Sequence, residues 1–473
     1  MKQARLFIDG QWTEGDTTTS ILDKFDLTPL GVVHEASPSQ IAHALERLQK
    51  AVLATAFAPY DRYLVLSRAS HLLAERTQEF VESIIDDTGF TVTDATREVN
   101  RTIETLLLCG EEAKRIHGEV VPLHGAPGAG ERIAFTVKHP LGVVCAITPF
   151  NSPLNTVAHK VGPALAAGNS VILKPAKQTP LSAVKLVELL LESGLPESLI
   201  ALVHGDGSSV GEALLTSAVP AFYAFTGSTE VGAHIRRSIG LRKAQLELGS
   251  LSSTIVCRDA GLDRAAEACV NAAFRKAGQV CTSIQRLYVH SDVAADFASE
   301  LTSRLTRRPV GDPRKSDTFV GPLISAADAD RVEKWVSTAI EHGARPVVGA
   351  QRDGQVVSPT VLTGVDDSMD VMTKEVFGPV VNIVAFDDLE QAINAANDTP
   401  YGLAAGIFTA DLNTALTAAG RLRMGSVHIN ETSSSRVDLQ PYGGVKMSGI
   451  GLEGPKYAIE EMTEQRLVTF GPA

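Results

Sequence analysis

The chain has 473 residues, of which 44% are hydrophobic and 21% charged. This composition is typical of a folded globular protein and excludes a disordered or fibrous one, and the length allows roughly two to four domains. The formal net charge of −12 excludes a broad basic face for nucleic acid but not a local cationic pocket. No apolar run approaches the roughly 20 residues of a membrane helix, and "MKQARLFIDGQW" lacks the apolar core of a signal peptide. We therefore expect a cytoplasmic protein with no membrane or nucleic-acid partner.

From residue 141 onward, short apolar runs alternate with amphipathic segments of helix length. This alternation predicts βαβ units and a parallel sheet covered by helices on both faces, which is a doubly wound α/β fold. Ligands of such sheets bind at the carboxyl ends of the strands, beside helix N-termini. The predicted strands are "GVVCAIT", "SVILKP", "LIALVHG" and "AFYAFTG".

The stretch "AFTGSTEVG" contains a candidate ligand site. It predicts a strand, a turn over Thr226, Gly227 and Ser228, and a helix with Glu230 in its first turn. One interpretation is a pyrophosphate site at the N-terminus of that helix. The other is an ordinary serine N-cap after a glycine turn, and the stretch alone leaves both open.

A second α/β pattern begins near residue 250 without a low-complexity linker before it. The two lobes should therefore share an interface, and an active site is expected between them. Two predicted strands fall outside both patterns: one in "ERIAFTVKHP" and one after a short helix in the tail "EGPKYAIEEMTEQRLVTF". We expect these strands to pair with each other or across a subunit boundary, since isolated strands need partners.

The five cysteines show neither C-x-x-C pairs nor zinc-ligand spacing to histidines. Their odd number without a secretion signal indicates reduced thiols, and we expect no metal site. Cys109, Cys145 and Cys269 lie in apolar or helical patterns and are predicted core residues. Cys281 differs, because it follows a Gly-Gln pair where a helical pattern gives way to a polar turn, so it is either a nucleophile or a core residue.

Seven motifs, in order along nearly the whole chain, resemble those of the aldehyde dehydrogenase superfamily. They are "TPFNSPLN" (148–155), "AAGNSVILKPA" (166–176), "FTGS" (225–228), "LELGS" (246–250), "GQVC" (278–281), "KEVFGPVV" (374–381) and "PYGGVKMSG" (441–449). The resemblance implies a Rossmann-type cofactor domain, an α/β catalytic domain and a small β oligomerisation arm. The corresponding boundaries are 1–117 and 141–248 for the cofactor domain, 249–450 for the catalytic domain, and 118–140 with 451–473 for the arm.

The resemblance also implies catalytic roles for four residues. Cys281 matches the nucleophile, whose thiolate adds to the aldehyde so that the adduct loses hydride to a nicotinamide and water then cleaves the thioester. Glu247 matches the general base for deacylation, and its presence argues against the branch in which coenzyme A accepts the acyl group. Asn151 matches the side-chain half of an oxyanion hole completed by the backbone N–H of Cys281. Glu453 falls where many members carry an acid that relays protons.

For the cofactor, the resemblance implies NAD or NADP. Lys174 looks like the lysine that holds the adenosine ribose, and Glu375 with Phe377 looks like the pair that positions the nicotinamide ribose and ring. Lys177 stands where many NAD-preferring members have a glutamate, so we lean towards NADP; a solvated lysine that leaves NAD acceptable is the alternative. The remaining cofactor-site residues implied by the motifs are Thr148, Pro149, Phe150, Gly211, Phe225, Thr226, Gly227, Ser228, Val231, Leu248 and Gly249.

The substrate pocket is expected beyond the cysteine from the cofactor. Arg101, His159 and Arg275 could form a cationic mouth for a short aldehyde that carries a carboxylate, phosphonate or sulfonate, or for a hydroxyaldehyde. A protonated His159 would add a pH dependence near its usual pKa of about 6.5. Structural roles are the alternative, with Arg275 bracing the cysteine loop and His159 satisfied at an interface.

The sequence thus predicts an enzyme that oxidises a short polar or anionic aldehyde to the acid with NAD(P)⁺. Candidate substrates are semialdehydes, lactaldehyde-like compounds and phosphono- or sulfo-aldehydes. Two alternatives stay open: an acylating dehydrogenase or acyl-phosphate reductase, and a non-catalytic nucleotide-binding member of the fold. We expect a homodimer or homotetramer.

Overall fold

The structure is a computed structural model that describes residues 1–472. Within these residues no helix is both long and apolar enough to cross a bilayer. The α-helices are α1 (Pro38–Ala54), α2 (Pro59–Glu75), α3 (Thr77–Thr88), α4 (Val92–Ala113), α5 (Asn155–Ala167), α6 (Leu181–Glu192), α7 (Glu212–Thr216), α8 (Thr229–Ser238), α9 (Leu262–Phe274), α10 (Ser291–Leu305), α11 (Ala326–Glu341), α12 (Asp370–Thr373), α13 (Leu389–Asn397), α14 (Leu412–Arg421) and α15 (Pro455–Glu461). The strands are β1 (Lys2–Ala4), β2 (Leu6–Ile8), β3 (Gln11–Thr13), β4 (Thr17–Leu22), β5 (Pro29–Glu35), β6 (Val120–Val121), β7 (Ile133–Pro140), β8 (Val143–Ile147), β9 (Ser170–Lys174), β10 (Ile200–Leu202), β11 (Pro220–Thr226), β12 (Lys243–Glu247), β13 (Ser253–Val256), β14 (Arg286–His290), β15 (Arg345–Val348), β16 (Arg352–Asp353), β17 (Val356–Val357), β18 (Thr360–Thr363), β19 (Val380–Phe386), β20 (Ala404–Phe408), β21 (Ser426–Ile429), β22 (Gly449–Ile450) and β23 (Thr463–Phe470).

The predicted βαβ repeat forms an eight-stranded sheet in the order β22-β12-β11-β8-β9-β10-β2-β3. The five strands from β12 to β10 are parallel, whereas β22, β2 and β3 add antiparallel edges. One apolar core lies on each face of this sheet, as expected for parallel strands covered by helices. The doubly wound α/β fold predicted from the sequence is confirmed.

The second α/β pattern forms a seven-stranded sheet in the order β15-β18-β19-β14-β13-β20-β21. All pairs are parallel except β15 with β18. It has its own two cores. A three-stranded sheet, β1-β5-β4, and the hairpin β16-β17 complete the strands outside the two lobes and the arm.

The two predicted outlying strands pair with each other. Strand β23 runs antiparallel to β7 from Thr463 opposite Pro140 to Phe470 opposite Ile133, and β6 pairs with the other edge of β7. The rings of Phe135 and Phe470 stack with centroids 5.9 Å apart. The sheet β6-β7-β23 is called the arm sheet below.

We propose the division into cofactor domain, catalytic domain and arm for this structure, with one adjustment at the end of the chain. Strand β22, which closes the proposed catalytic segment, pairs with β12 of the cofactor sheet. Helix α15, which opens the last arm segment, contributes Ala458 and Ile459 to a core of that same sheet. The chain therefore returns to the first lobe before it enters the arm.

Helix α5 connects the core of the first lobe to the region between the sheets. It begins at Asn155, four residues after Asn151, and every residue in it except Thr156 is buried. Its neighbour α4 starts at a Thr91 N-cap, whose hydroxyl accepts a hydrogen bond from the N–H of Asp94. The predicted core cysteines Cys109, Cys145 and Cys269 are confirmed as buried.

Candidate active site

A cavity of about 860 Å³ lies between the two lobes, where the carboxyl ends of the parallel strands meet. The structure brings together on its walls all the site residues that the motifs implied, with the exception of Lys177 among the described residues. Catalytic, cofactor and substrate candidates therefore share one space, as the sequence predicted for a site between lobes.

The candidate nucleophile follows an unusual turn. Helix α9 ends at Phe274, and Lys276, Ala277 and Gly278 then have φ values of 52°, 53° and 71°. A side chain at Gly278 would meet the carbonyl of Gly378 at 2.1 Å, so that position requires glycine. Positive φ values at non-glycine residues store strain, which persists where surrounding contacts determine the conformation.

Buried polar contacts fix this turn against the first lobe. The N–H of Lys276 donates to Asp94 Oδ2 at 2.8 Å, and its ammonium forms an ion pair with Glu98. The same ammonium donates to the carbonyl of Asn151 at 2.8 Å. The turn before Cys281 and the loop that carries Asn151 are thus held by one cation.

Cys281 is partly exposed to the cavity, and its Sγ lies 3.0 Å from the hydroxyl oxygen of Tyr442. Burial raises the pKa of the Cys281 thiol to about 11, while the hydrogen bond with Tyr442 lowers it. Tyr442 was not singled out from the sequence. It stands inside "PYGGVKMSG", and that motif gives no indication of which side chain faces the thiol.

Asn151 and the backbone of Cys281 supply the expected oxyanion donors. The Asn151 amide donates one N–H from Nδ2 to the carbonyl of Gln279 at 2.8 Å, which leaves its second N–H free. Within residues 1–472 the N–H of Cys281 has no hydrogen-bond acceptor. A developing oxyanion beside Sγ could therefore bind both donors.

The two carboxyl groups with predicted acid–base roles, Glu247 and Glu453, have opposite environments. Both oxygens of Glu247 are buried without a hydrogen-bond partner among residues 1–472, and burial together with the charge of Glu453 raises its pKa well above the usual value. Glu453 binds the ammonium of Lys160 at 3.0 Å and the guanidinium of Arg436 at 2.9 Å. These cations overcome the effect of burial and lower the pKa of Glu453. We therefore expect Glu453 to act on Glu247 by its fixed charge, because a carboxylate held ionised is a poor proton carrier.

Arg101 and His159 meet on one buried carboxylate that the sequence did not reveal. Asp438 accepts hydrogen bonds from Nε and Nη2 of Arg101 at 3.1 and 2.6 Å, and from Nε2 of His159 at 2.8 Å. Burial lowers the pKa of His159, which more than offsets the bond to Asp438. A lowered pKa favours the neutral imidazole at neutral pH, which weighs against the predicted titration of His159 near pH 6.5.

Arg275 is the guanidinium that remains available for an anion. Its Nη2 donates to the hydroxyl of Ser434 at 2.7 Å, and Ser434 lies 3.0 Å from the hydroxyl of Thr282, beside the nucleophile. No carboxylate of residues 1–472 forms an ion pair with Arg275. Burial lowers its pKa to about 10, so the side chain stays charged at neutral pH.

The opposite end of the cavity suits a dinucleotide. The hydroxyls of Thr148 and Thr226 are buried there without a partner among the described residues, and Ser228 caps α8 at the rim. The ammonium of Lys174 forms no ion pair within residues 1–472, and burial lowers its pKa. These donors fit the hydroxyl and phosphate oxygens of NAD(P).

Glu375 and Phe377, which the resemblance predicts to position the nicotinamide, both lie on the cavity wall. Glu375 accepts a hydrogen bond from the N–H of Ser250 at 3.0 Å, and burial raises its pKa to about 7. Phe377 packs edge-on against Phe150, with centroids 5.7 Å apart. A side chain at Gly249 would meet Glu375 Oε2 at 2.8 Å, so glycine at this position lets the carboxyl group lie close to the backbone.

Lys177 does not line the cavity, because two carboxylates hold it at the rim. Its ammonium lies 2.9 Å from Glu35 and 2.9 Å from Asp206. The lean towards NADP assumed a free cation here. The preference for NADP stays a prediction. Its support is weaker than the sequence implied, because Lys177, Glu35 and Asp206 together carry one net negative charge and would not attract a 2′-phosphate as a free lysine would.

The family model of the aldehyde dehydrogenase family matches residues 12–468 of the chain. Over 470 residues the chain is 47% identical to the 3-sulfolactaldehyde dehydrogenase of Priestia megaterium, which covers 99% of this chain and 98% of that protein. Among solved structures, it is similar to aldehyde dehydrogenase 21 from Physcomitrella patens in complex with the reaction product succinate, with a TM-score of 0.96, 34% identity and coverage of 99% and 98% of the two chains. It is also similar to the NADP-dependent glyceraldehyde-3-phosphate dehydrogenase from Bacillus halodurans C-125 complexed with NADP, with a TM-score of 0.97, 33% identity and full coverage of both chains (100% each).

Proposed function

Since the chain belongs to the aldehyde dehydrogenase family, we propose that this NAD(P)-dependent enzyme oxidises a short anionic aldehyde, such as 3-sulfolactaldehyde, to the acid. The observation that carries the substrate class is Arg275, whose guanidinium borders the cavity beside Cys281 without a carboxylate partner in residues 1–472. An unpaired cation in a partly closed cavity favours an anionic ligand.

The three relatives described above support the same class of substrate. Their names specify a sulfonated aldehyde, the dicarboxylate product succinate and a phosphorylated aldehyde. All three compounds are short and carry an anion a few bonds from the reacting carbon. The relative with 3-sulfolactaldehyde in its name shares 47% of its residues with this chain over nearly its whole length, so we place sulfonates first among the candidates.

In the proposed reaction the Cys281 thiolate attacks the aldehyde carbon while its backbone N–H and Asn151 Nδ2 bind the carbonyl oxygen as it becomes negative. When bound, NAD(P)⁺ supplies the hydride acceptor. Glu247 then takes a proton from the water that attacks the thioester. Burial and the charge of Glu453 raise the pKa of Glu247, which makes its carboxylate a stronger base than an exposed one.

We predict that Cys281→Ala abolishes turnover but keeps NAD(P)⁺ binding, because the thiol forms the covalent bond and does not hold the dinucleotide. Glu247→Gln should keep a stoichiometric burst of NAD(P)H while steady turnover falls by about 10² to 10⁴-fold, the usual contribution of a general base. Stopped-flow absorbance would separate burst from steady state. Substantial steady oxidation by the cysteine variant would refute the role of Cys281.

The substrate proposal predicts a selective effect of Arg275→Gln. A charge-assisted hydrogen bond contributes about 1.5 to 3 kcal/mol, so kcat/KM should fall about tenfold to a hundredfold for 3-sulfolactaldehyde. Lactaldehyde is the matched neutral substrate, because it has the same carbon chain and hydroxyl without the sulfonate, and it should lose much less.

Arg101→Gln is the matched control on the protein side, since Asp438 already neutralises that guanidinium. Its effect should be smaller and less selective than that of Arg275→Gln. If Arg275→Gln lowers kcat/KM equally for both aldehydes, Arg275 is structural and the substrate class is wrong. Arg275→Lys keeps a charge and should retain part of the selectivity if the glutamine variant does not fold.

The cluster around Lys177 predicts how cofactor preference can be changed. Asp206→Asn would remove one negative charge from the rim of the proposed cofactor site and release Lys177 from one partner. We expect the ratio of kcat/KM for NADP to that for NAD to rise by up to about fivefold, since an exposed charge pair contributes up to about 1 kcal/mol. The exposed Asp292→Asn is the control. A ratio unchanged by Asp206→Asn would show that this cluster does not contact the ribose.

We also propose a homodimer or homotetramer assembled through the arm sheet. Strand β23 has exposed residues along most of its length, with Leu467 and Phe470 both 58% exposed. Its free edge and apolar side chains favour a partner strand or subunit.

Removing residues 466–473 should yield monomers or aggregates, because β7 loses its partner strand and Phe135 its stacked ring. Removing residues 471–473 is the control, since it leaves β23 intact. Light scattering would give the masses. A protein truncated at residue 465 that keeps the mass of the full chain would place the subunit interface elsewhere.

A further inference from the structure

We propose that Tyr442 is a further catalytic residue, whose hydroxyl donates a hydrogen bond to Sγ of Cys281 and stabilises the thiolate before the aldehyde binds. The proposal rests on Cys281 being the nucleophile. Among residues 1–472, Tyr442 is the side chain within hydrogen-bonding distance of Sγ, at 3.0 Å. In the resting thiol either atom can donate, but once the sulfur has lost its proton the phenol is the one donor left.

Two backbone hydrogen bonds and one ring contact of Tyr442 fix the position of its hydroxyl. The N–H of Tyr442 donates to the carbonyl of Glu453 at 3.0 Å, and the N–H of Glu453 donates to the carbonyl of Tyr442 at 2.6 Å. The guanidinium of Arg436 covers the ring at 3.7 Å from its centroid. Tyr442 is 7% exposed, so its ring has little freedom to turn away from the thiol. A donor fixed in advance needs no reorganisation when charge appears on the sulfur.

The charges around Cys281 explain why such a donor matters. Glu247 and Glu375 face the thiol and raise its pKa, whereas Arg436 lowers it. Arg275 faces it from the preceding turn. No imidazole or ammonium of residues 1–472 touches Sγ, so the histidine partner that activates many cysteine nucleophiles has no equivalent here.

Tyr442 acts as a donor and not as a base. Burial and the neighbouring Cys281 raise the pKa of its hydroxyl well above the usual value, so the phenol keeps its proton throughout the neutral range. The proton of the thiol therefore leaves to the carboxylate of Glu247, which faces the thiol across the cavity, and no proton moves onto Tyr442.

Removal of this hydrogen bond has two opposing effects on the nucleophile. Hydrogen bonds to charged groups are strong enough to move a pKa by about one to two units, so Tyr442→Phe should raise the pKa of Cys281 by that amount. The more basic thiolate is also more reactive, by about 2.5- to tenfold for a Brønsted coefficient of about 0.4 to 0.5. At pH 7.5 the loss of thiolate outweighs the gain in reactivity, and we expect a net fall of about three- to fifteenfold.

The test is the pH dependence of iodoacetamide alkylation of Cys281 in the full-length enzyme without substrate. The modified residue is identified by mass spectrometry. For Tyr442→Phe we expect the rising limb of the profile to be displaced to higher pH, so that the alkylation rate at pH 7.5 falls about three- to fifteenfold. The control Tyr288→Phe removes a buried phenol from β14, outside the cavity, and should leave the profile unchanged. Unaltered NAD(P)⁺ binding and thermal unfolding would show that each variant is folded.

A second substitution at position 442 is expected to shift the alkylation profile in the opposite direction. Incorporation of 3-fluorotyrosine at position 442 gives a more acidic phenol, which is a stronger donor, and should move the alkylation profile to lower pH. Tyr442→Phe and the fluorinated residue must therefore shift the profile in opposite directions. If both folded variants alkylate with the profile of the native enzyme, the proposal is overturned, and the proposed function is untouched because the role of Cys281 is tested separately by its burst kinetics.

Discussion

The buried ion pair between Glu98 and Lys276 joins the parts of the site that come from different lobes. Glu98 lies on α4, and its Oε1 accepts the N–H groups of Leu154 and Asn155 at the start of α5. Lys276 lies on the turn before the nucleophile and donates to the carbonyl of Asn151. Breaking a buried pair by removing one partner typically costs about 3 to 5 kcal/mol, because the other charge is left without compensation. The distance between the oxyanion donor and the cysteine thus depends on this contact.

The same contact explains why the chain tolerates three consecutive positive φ values before Cys281. Non-glycine residues in that region cost about 1 to 3 kcal/mol each, and Lys276 and Ala277 are two of them. The N–H of Lys276 is held by Asp94 and its ammonium by Glu98, so both ends of the residue are fixed by carboxylates on α4. The ion pair therefore stabilises the strained turn, and the turn in turn positions the thiol of Cys281.

Much of the fold, but little of the charge pairing, could be predicted from the sequence. Strands such as Val143–Ile147 could be predicted because their local sequence is continuously apolar. The pairing of the two outlying strands could be predicted because neither had another strand to pair with. The contact of Cys281 with Tyr442 joins residues 161 positions apart, and that of Arg101 with Asp438 joins residues 337 apart. No local periodicity encodes such pairs, because a side chain's partner depends on how whole lobes pack.

This limit decides how a charged residue in a motif should be interpreted. Lys177 and Arg101 look like ligand-binding cations in the sequence, yet carboxylates satisfy both. Lys174 and Arg275 look no different, and among residues 1–472 they lack such partners. Burial lowers the pKa of both, which means that each cation is stabilised less by the protein than by water. Lys174 lies at the proposed cofactor end of the cavity, and Arg275 lies beside the thiol. The oxygen atoms of a cofactor at one end and an anionic substrate at the other would therefore replace the hydration that each cation has lost.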